Sequence, residues 1–301
     1  MTQPRFQGIV PPMVTPLLSY DELDRSGTER LLEHLIEGGV SGIFILGTTG
    51  EAQCLSYHLR RELIELVTKV VAGRVSVLVG ITDTAFAESV SLADHAASCG
   101  ADALVLTTPY YFPVGQTELL GYTQRLVEKL SLPLMLYNMP SLTKVWFEIE
   151  TLKQLAEDSR IVGVKDSSGD LEYYGRLTKL KKLRPDWSIL MGPEANLIES
   201  LQLAGDGGVH GGANIFPSLF VKCYNAWQQG DETKAREYEK QITALQAIYD
   251  IGKYGSRFIK AVKSGLGILE ICSDHMAEPF NHFLEPERLK VAEILKTIST
   301  P

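Results

Sequence analysis

The lysine at position 165 ends an apolar run at a point where a reactive group is unexpected. The segment IVGVKDSSGD, residues 161–170, begins with Ile161, Val162 and Val164, β-branched residues that suit a parallel strand covered on both faces. If Lys165 faces an apolar interior, burial lowers the pKa of its amine, and the neutral amine can attack a carbonyl carbon to give a Schiff base. The alternative is that Lys165 is a surface residue that opens a loop.

Polar residues with complementary chemistry end other apolar runs. Tyr137, in YNMP at 137–140, carries a phenol that can relay protons beside an imine. GTTGE at 47–51 offers two hydroxyls, those of Thr48 and Thr49, and backbone N–H groups before a helix, a combination that can hold a carboxylate without an arginine. Each feature also has a structural interpretation. Tyr137 could be a tyrosine at the barrel rim whose hydroxyl is already hydrogen-bonded, and GTTGE could be only a tight turn.

These groups need a scaffold that brings several strand ends together. Short β-branched or aliphatic runs recur along the chain, helical patterns lie between them, and the starts of the runs are roughly 20 to 34 residues apart, the size of one βα unit. The pattern predicts an α/β fold, a (β/α)₈ TIM barrel with additional C-terminal helices, in which the strand ends and βα loops form the active site. The runs are residues 8–14, 41–47, 75–80, 102–106, 133–138, 161–165, 187–192 and 207–212.

The barrel is predicted to form one structural unit with the helices that follow it. Residues 1–215 are expected to form the barrel core with the catalytic lysine, and residues 216–301 the last barrel helix and a C-terminal helical extension. A doubly wound sheet is the competing fold. However, no G-x-G-x-x-G turn follows the first strand, and the glycine-rich eighth run, GGVHGG, suits a tight barrel closure.

Composition narrows the class of protein. With 301 residues, 45% hydrophobic and 22% charged, the chain resembles ordinary globular proteins. Its net charge of −8 opposes attraction to nucleic acid or anionic membrane. The four cysteines form no C-x-x-C pair, which disfavours a disulfide framework or a zinc site and favours the cytoplasm. No apolar run reaches the ~18 residues of a membrane span, and the first ten residues lack signal-peptide features, so neither membrane insertion nor secretion is expected.

Four motifs in sequence order resemble one enzyme family. GTTGE, TPYY at 108–111, YNMP and GVKDSSGD at 163–170 resemble the family that contains dihydrodipicolinate synthase, N-acetylneuraminate lyase and related 2-oxo acid aldolases. The resemblance covers the barrel and the helical tail. It implies a class I, Schiff-base (β/α)₈ enzyme that uses neither a metal nor an organic cofactor and is commonly a tetramer.

The resemblance also implies roles for individual residues. Lys165 would form the imine with pyruvate, or with the pyruvyl end of a substrate, and Tyr137 would relay protons. Thr48 and Thr49 match the carboxylate-binding pair, and Thr48 also links the proton relay. Tyr111 matches a residue that completes this relay across a subunit interface.

The later strand ends add expected substrate contacts. Gly192 and Glu194 belong to the GPE motif, and Glu194 with Ala195 aligns with the Asp-Glu pair by which sialic acid lyases hold the glycerol tail of the sugar. Ser167 corresponds to the threonine that follows the catalytic lysine in those lyases. The backbone carbonyl of Val209 falls where the family places an acceptor near the imine. The incomplete Asp-Glu pair makes sialic acid a poor fit.

Leu142 separates this chain from the synthases. They carry an arginine two residues after the proline of the YN-x-P-S motif, where it grips the carboxylate of the aldehyde substrate, whereas sialic acid lyases carry leucine there. Synthase activity is therefore doubtful. Lys144, at a position where relatives usually have glycine, and His210 could contact the distal end of a substrate, and a solvated or structural role is the alternative for each.

The sequence therefore predicts a class I aldolase or lyase that releases or condenses pyruvate with a small hydroxylated or oxo-acid partner. A 2-keto-3-deoxy sugar acid or a hydroxy-oxo acid is the expected substrate class, and a homo-oligomer, a tetramer or dimer, the expected assembly. Nucleic acid and membrane are not expected partners. The alternatives are a dihydrodipicolinate synthase with an altered carboxylate clamp, an N-acetylneuraminate lyase, a dehydratase using the same imine, a non-catalytic 2-oxo acid sensor and a phosphate-binding barrel.

Overall fold

Eight parallel strands form a closed ring in the computed structural model, which describes residues 4–298. Each strand pairs with its neighbour in chain order, and the first pairs with the eighth. The ring closes between the first and second strands through the Pro12–Phe44 bridge and a hydrogen bond from the Ser41 N–H to the Ile9 carbonyl, 2.8 Å. The predicted TIM barrel is confirmed. The strands are β1 Gly8–Ile9, β2 Gly42–Ile45, β3 Ser76–Gly80, β4 Ala103–Thr107, β5 Leu134–Asn138, β6 Ile161–Asp166, β7 Ser188–Met191 and β8 Gly207–Gly208.

Helices cover the outside of the ring and continue beyond it. A short antiparallel hairpin, Leu17–Ser19 with Glu22–Leu23, precedes the first helix. Within residues 4–298, a one-turn helix follows β5 before the next barrel helix, and three helices follow the last barrel helix. The helices are α1 Arg25–Glu37, α2 Tyr57–Val71, α3 Phe86–Ser98, α4 Gln116–Val127, α5 Pro140–Thr143, α6 Ile149–Leu155, α7 Leu171–Thr178, α8 Leu197–Gln202, α9 Pro217–Gln228, α10 Glu232–Leu245, α11 Arg257–Ile268 and α12 Glu285–Thr297.

Helix α2 shows how the sequence sets these boundaries. The Ser56 hydroxyl accepts a hydrogen bond from the Leu59 N–H at 3.1 Å and caps the first turn. Buried residues, Leu59, Leu63 and Val67 among them, recur at a spacing of four and face the sheet. Ala72 ends the helix in the left-handed conformation.

Two apolar cores result from this arrangement. The larger lies between the sheet and its helices. The smaller fills the inside of the ring, where side chains such as Phe44, Leu78, Met135 and Leu190 pack together. Because the ring interior is packed rather than hollow, a polar side chain that points into it loses its water.

Glycines allow the ring to close tightly. Gly207 of β8 pairs with Gly8 of β1, and a Cβ on Gly207 would lie 1.9 Å from the Gly8 carbonyl oxygen. Gly163 of β6 is similar, since a Cβ there would lie 2.1 Å from the Ser188 carbonyl oxygen of β7. A larger residue at either position would push adjacent strands apart and move the neighbouring strand ends.

Candidate active site

Lys165 lies inside the ring at the C-terminal end of β6. In the sheet it is opposite Tyr137 of β5 and Leu190 of β7, and its exposed fraction is 4%. Its Nζ lies 4.0 Å from the ring centroid of Tyr137 and 5.2 Å from that of Phe44. Burial lowers the pKa of Lys165, and nearby Tyr137 and Asp166 only partly offset that effect. The amine is therefore more often neutral and nucleophilic than a surface lysine.

Tyr137 connects this amine to the loop after β2. Its hydroxyl oxygen lies 3.4 Å from Oγ1 of Thr48, and its side chain is buried. Its ring meets Phe44 edge-on, with 6.2 Å between ring centroids, which holds the phenol against Lys165. Lys165, Tyr137 and Thr48 thus lie next to one another, in the order that the predicted proton relay requires.

The loop that carries Thr48 and Thr49 is held from two sides. The Thr15 hydroxyl donates to the Gly50 carbonyl at 2.7 Å, and Thr49 is buried. Glu51 ends the loop in the left-handed conformation, and its N–H donates to the Thr48 carbonyl at 3.1 Å. Its own carboxylate is directed away from the site, so it fixes the loop rather than taking part in chemistry.

Glu51 is tied to the C-terminal helices by a buried ion pair. Its Oε2 pairs with the ammonium of Lys263 on α11, and both side chains are 0% exposed. The remaining oxygen, Oε1, accepts from the Ala277 N–H at 2.9 Å, and Lys263 also donates to the His275 carbonyl at 2.7 Å. The C-terminal extension therefore holds the end of the predicted carboxylate cradle.

Buried hydrogen bonds fix the ends of β5 and β6. The Asn138 side-chain amide donates to Oδ1 of Asp166 at 2.7 Å, and its oxygen accepts from the Phe147 N–H at 3.0 Å. The Ser168 hydroxyl donates to the other Asp166 oxygen at 2.8 Å. These contacts place Tyr137 and Lys165, each one residue earlier, side by side.

Glu194 lies buried in the wall that the loop after β7 contributes to the site. Its Oε1 accepts from the Gly212 N–H at 2.6 Å and from the Tyr249 hydroxyl at 2.7 Å. Burial raises the pKa of Glu194 to about 7, although these hydrogen bonds oppose the shift. The group can therefore be a neutral acid or an anion near neutral pH, and it can donate to or accept from a substrate hydroxyl.

Gly192 and His210 shape the same wall. A Cβ on Gly192 would lie 2.0 Å from Oγ of Ser167, so only glycine leaves that hydroxyl in place. The buried ring of His210 donates from Nδ1 to the Gly192 carbonyl at 2.9 Å. Burial lowers the pKa of His210 to about 4, so the ring is neutral at physiological pH. His210 thus supports Gly192 from outside the cavity.

All but two of the predicted site residues line one cavity of about 570 Å³. We call it the lysine cavity. Pro12, Met139, Pro193 and Gly211 complete its barrel side. The predicted residues that it brings together are Thr48, Thr49, Tyr137, Lys165, Ser167, Gly192, Glu194 and Val209.

Tyr111 and Leu142 are the two predicted residues outside the lysine cavity. Tyr111 is 86% exposed, has a left-handed backbone with φ 82°, and packs its ring edge-on against Phe112. Within one chain it does not reach the Tyr137–Thr48 pair. Leu142 is 51% exposed and lines an adjoining cavity of about 760 Å³, which we call the outer cavity. Lys144 lines neither cavity, and its Nζ donates to the Ser141 carbonyl at 2.6 Å.

The C-terminal helices contribute to this site in a way that the sequence motifs did not predict. The turn between α10 and α11 lies over the lysine cavity, and part of it also lines the outer cavity. The glycine-rich, basic segment IGKYGSR, residues 251–257, was the available signal, because such a segment between two helical patterns can approach a ligand. Residues of this region that line the lysine cavity are Gln246, Tyr249, Asp250, Lys253, Tyr254, Gly255, Arg257 and Phe258.

Residues 4–298 meet the requirements of neither a metal site nor a membrane-spanning helix. They contain no cluster of three or more His, Cys, Asp or Glu side chains arranged to hold a metal ion. None of their helices is long and apolar enough to cross a membrane.

A TIM barrel with a buried lysine at the end of its sixth strand, packed against a tyrosine on the fifth, defines a carbon–carbon lyase of the class I, pyruvate-dependent aldolase type. The chain belongs to the dihydrodipicolinate synthetase family, whose model matches residues 5–298. The resemblance stated from the four motifs is confirmed.

Individual relatives cover most or all of the chain. YagE of Escherichia coli K12, provisionally named a 2-dehydro-3-deoxy-D-gluconate aldolase, is 30% identical over 97% of each chain. YjhH of the same organism, provisionally named a 2-dehydro-3-deoxy-D-pentonate aldolase, is 36% identical over 81% of this chain and 82% of that one. A solved structure of dihydrodipicolinate synthase from Bacteroides thetaiotaomicron is 46% identical, covers 98% of this chain and 99% of that chain, and has a TM-score of 0.94.

Proposed function

We propose that Lys165 forms an imine with pyruvate and that the enzyme makes or cleaves the carbon–carbon bond of a 2-keto-3-deoxy sugar acid or a related hydroxy-oxo acid. The observation that carries the proposal is the buried Nζ of Lys165, 4.0 Å from the ring centroid of Tyr137 in a cavity that also contains two threonine hydroxyls. A protein that only binds 2-oxo acids has no need of a desolvated amine beside a proton relay, so this geometry favours an enzyme over a sensor.

In the proposed cleavage, four side chains act up to the point where the carbon–carbon bond breaks. Thr48 and Thr49 bind the carboxylate, and the neutral amine of Lys165 attacks the C2 carbonyl, with loss of water, to form an iminium ion. Tyr137 removes the proton of the C4 hydroxyl, the C3–C4 bond breaks, and its electron pair moves to the iminium to give an enamine and an aldehyde. Protonation at C3 and hydrolysis then release pyruvate and restore the amine. Condensation runs through the same steps in reverse.

The remaining predicted residues serve the rest of the substrate in this proposal. Ser167 and Glu194 take substrate hydroxyls, because both carry hydrogen-bonding groups on the cavity wall, and Gly192 leaves room for Ser167. The Val209 carbonyl accepts a hydrogen bond near the imine. Leu142 offers apolar contact where a synthase would carry an arginine, and the names of YagE and YjhH support the sugar-acid class.

The proposed enzyme is a cytoplasmic homo-oligomer, a tetramer or a dimer. Its imine chemistry uses the chain's own lysine, without a metal or organic cofactor. The exposure of Tyr111 and Phe112, two adjacent aromatic side chains, supports an interface at this point. There Tyr111 of a second copy would complete the relay from Tyr137 and Thr48.

Borohydride trapping tests the central step. Pyruvate and borohydride should attach a reduced three-carbon adduct to Lys165, located by peptide mass mapping, and a panel of 2-keto-3-deoxy sugar acids should release pyruvate. Lys165→Met should lose both reactions, whereas Lys240→Met, at an exposed position of α10, should keep both. If the folded, pyruvate-saturated enzyme forms no adduct at Lys165, the proposal is wrong.

Dihydrodipicolinate synthase with an altered carboxylate clamp is the second candidate function. The 46% identity with the Bacteroides thetaiotaomicron synthase favours it, and Leu142 opposes it. Both functions use the same imine. A coupled assay of pyruvate with aspartate semialdehyde, beside the sugar-acid panel at the same protein concentration, separates them by their kcat/KM values.

A further inference from the structure

The outer cavity contains a buried lysine that the steps above do not use. Lys260 lies on α11, is 5% exposed, and lines the outer cavity together with Leu142. The two cavities share Thr48, Met139, Tyr254, Gly255 and Phe258, so they adjoin along the entrance to Lys165. A substrate whose carboxylate lies on Thr48 can therefore extend its other end towards Lys260.

Within residues 4–298, the direct contacts of the Lys260 ammonium are with neutral groups. Nζ donates to Oδ1 of Asn281 and lies 5.3 Å from the ring centroid of Tyr254. It forms no ion pair with a carboxylate of residues 4–298, although Glu287, which lines a smaller neighbouring cavity together with Lys260 and Asn281, acts on its charge. Burial consequently lowers the pKa of Lys260. Buried cations are normally paired with an anion, and Lys260 has no such ion pair while it lines the outer cavity, so an anion that enters this cavity can pair with it.

We propose that Lys260 binds an anionic group, a carboxylate or a phosphate, at the end of the substrate opposite the pyruvyl carboxylate. The preferred aldehyde is then a small hydroxylated aldehyde with a terminal anion, and the matching cleavage substrate is a 2-keto-3-deoxy sugar acid with a second anionic group. The inference rests on the proposed imine chemistry at Lys165.

Lys260 supplies the charge that Leu142 lacks. An ammonium that approaches from α11 can meet the far end of the substrate from the C-terminal side of the entrance, while Leu142 contacts its carbon chain from the barrel side. Lys144 does not do this, because it lies outside both cavities and donates to the Ser141 carbonyl.

Matched aldehydes test the inference through condensation with pyruvate. D-Glyceraldehyde has a neutral far end, glyceraldehyde 3-phosphate has a phosphate, and tartronate semialdehyde has a carboxylate. Wild-type enzyme should favour at least one anionic aldehyde over D-glyceraldehyde by about 10- to 100-fold in kcat/KM, the expected effect of one charge-assisted hydrogen bond. The phosphate and carboxylate arms show which anion is preferred.

Three substitutions separate charge from structure. Lys260→Gln keeps a donor for Asn281 but removes the charge, and it should abolish the preference for an anion while changing kcat/KM for D-glyceraldehyde less than threefold, within roughly 0.6 kcal/mol. Lys260→Arg should retain most of the preference. Lys144→Met should behave as wild type.

The outcomes distinguish this inference from the proposed function. Borohydride trapping of pyruvate on Lys165 is measured for every variant. If trapping is intact but wild type shows no preference for either anion, or Lys260→Gln keeps the preference, Lys260 is a structural residue and the inference is wrong. If wild type itself forms no adduct at Lys165, the proposed function fails, and the inference fails with it.

Discussion

The buried pair of Glu51 and Lys263 gives the sharpest test of how the C-terminal helices serve the site. Lys263→Met replaces the ammonium with an apolar group of similar length and leaves the Glu51 carboxylate inside the protein. That carboxylate then keeps a single strong partner, the Ala277 N–H at 2.9 Å. Because both side chains are fully buried, removing one member should cost about 3–5 kcal/mol of the free energy of unfolding.

The same substitution should reach the site through the loop after β2. The Glu51 N–H donates to the Thr48 carbonyl at 3.1 Å, so a carboxylate that turns towards water moves the backbone beside Thr48 and Thr49. We expect KM for pyruvate to rise about tenfold, equivalent to about 1.4 kcal/mol of lost binding, with a smaller change in kcat. Lys263 is therefore a positioning residue rather than a catalytic one.

Urea unfolding and steady-state kinetics measure the two effects. The double variant Glu51→Gln/Lys263→Met has no buried charge and keeps an acceptor for Ala277, so it should recover more than half of the lost stability. Lys240→Met is the control for loss of an exposed lysine. A Lys263→Met enzyme within about 1 kcal/mol of wild type, with unchanged KM, would refute the argument, because a change of that size is typical of an average substitution.

Two further predictions concern acid–base groups. Tyr137→Phe should lower turnover by roughly 10²-fold or more while pyruvate trapping persists, and Tyr111→Phe should behave similarly if a second copy completes the relay; near-normal turnover in Tyr137→Phe would remove the phenol from the mechanism. The second group is Glu194, whose pKa is about 7 in the folded protein and 4.5 for a free carboxyl. Its contribution to the free energy of unfolding is therefore fully present below pH 4.5 and is lost as the pH rises through 7. Urea unfolding should show that the free energy of unfolding of wild type falls by about 3 kcal/mol relative to that of Glu194→Gln between pH 4.5 and 7. A difference between the two proteins that does not vary with pH would contradict this prediction.

The barrel could be predicted because the sequence repeats one βα pattern at regular intervals. Each βα unit repeats a short apolar run and a helical pattern, and the right number of repeats leaves few other folds. The lengths of the terminal strands could not be predicted. The first run, residues 8–14, contributes only Gly8–Ile9 as strand, and the eighth contributes only Gly207–Gly208. Pairing at this seam depends on how closely Gly8 and Gly207 approach, which is a property of the closed ring rather than of either segment.

The barrel side of the lysine cavity followed from the rule that parallel strands present their C-terminal ends at one face. That rule placed Tyr137, Lys165 and Glu194 together although long segments separate them in the chain. The rule says nothing about helices beyond the barrel. The turn at residues 251–257 reaches the cavity because α10 and α11 pack back over the ring, and no periodicity in the sequence specifies that direction.

Lys144 and Lys260 show most clearly which property of the site could not be predicted from the sequence. Lys144 attracted attention because it is two residues from Leu142, but its side chain is exposed and turned to its own backbone. Lys260 is far from Leu142 in the chain and looks like any lysine in a helical pattern, yet it is buried and lines the outer cavity together with Leu142. The same ammonium group has little effect in water and a large one when it is desolvated, so burial, which only the fold determines, decides which lysine can select a substrate.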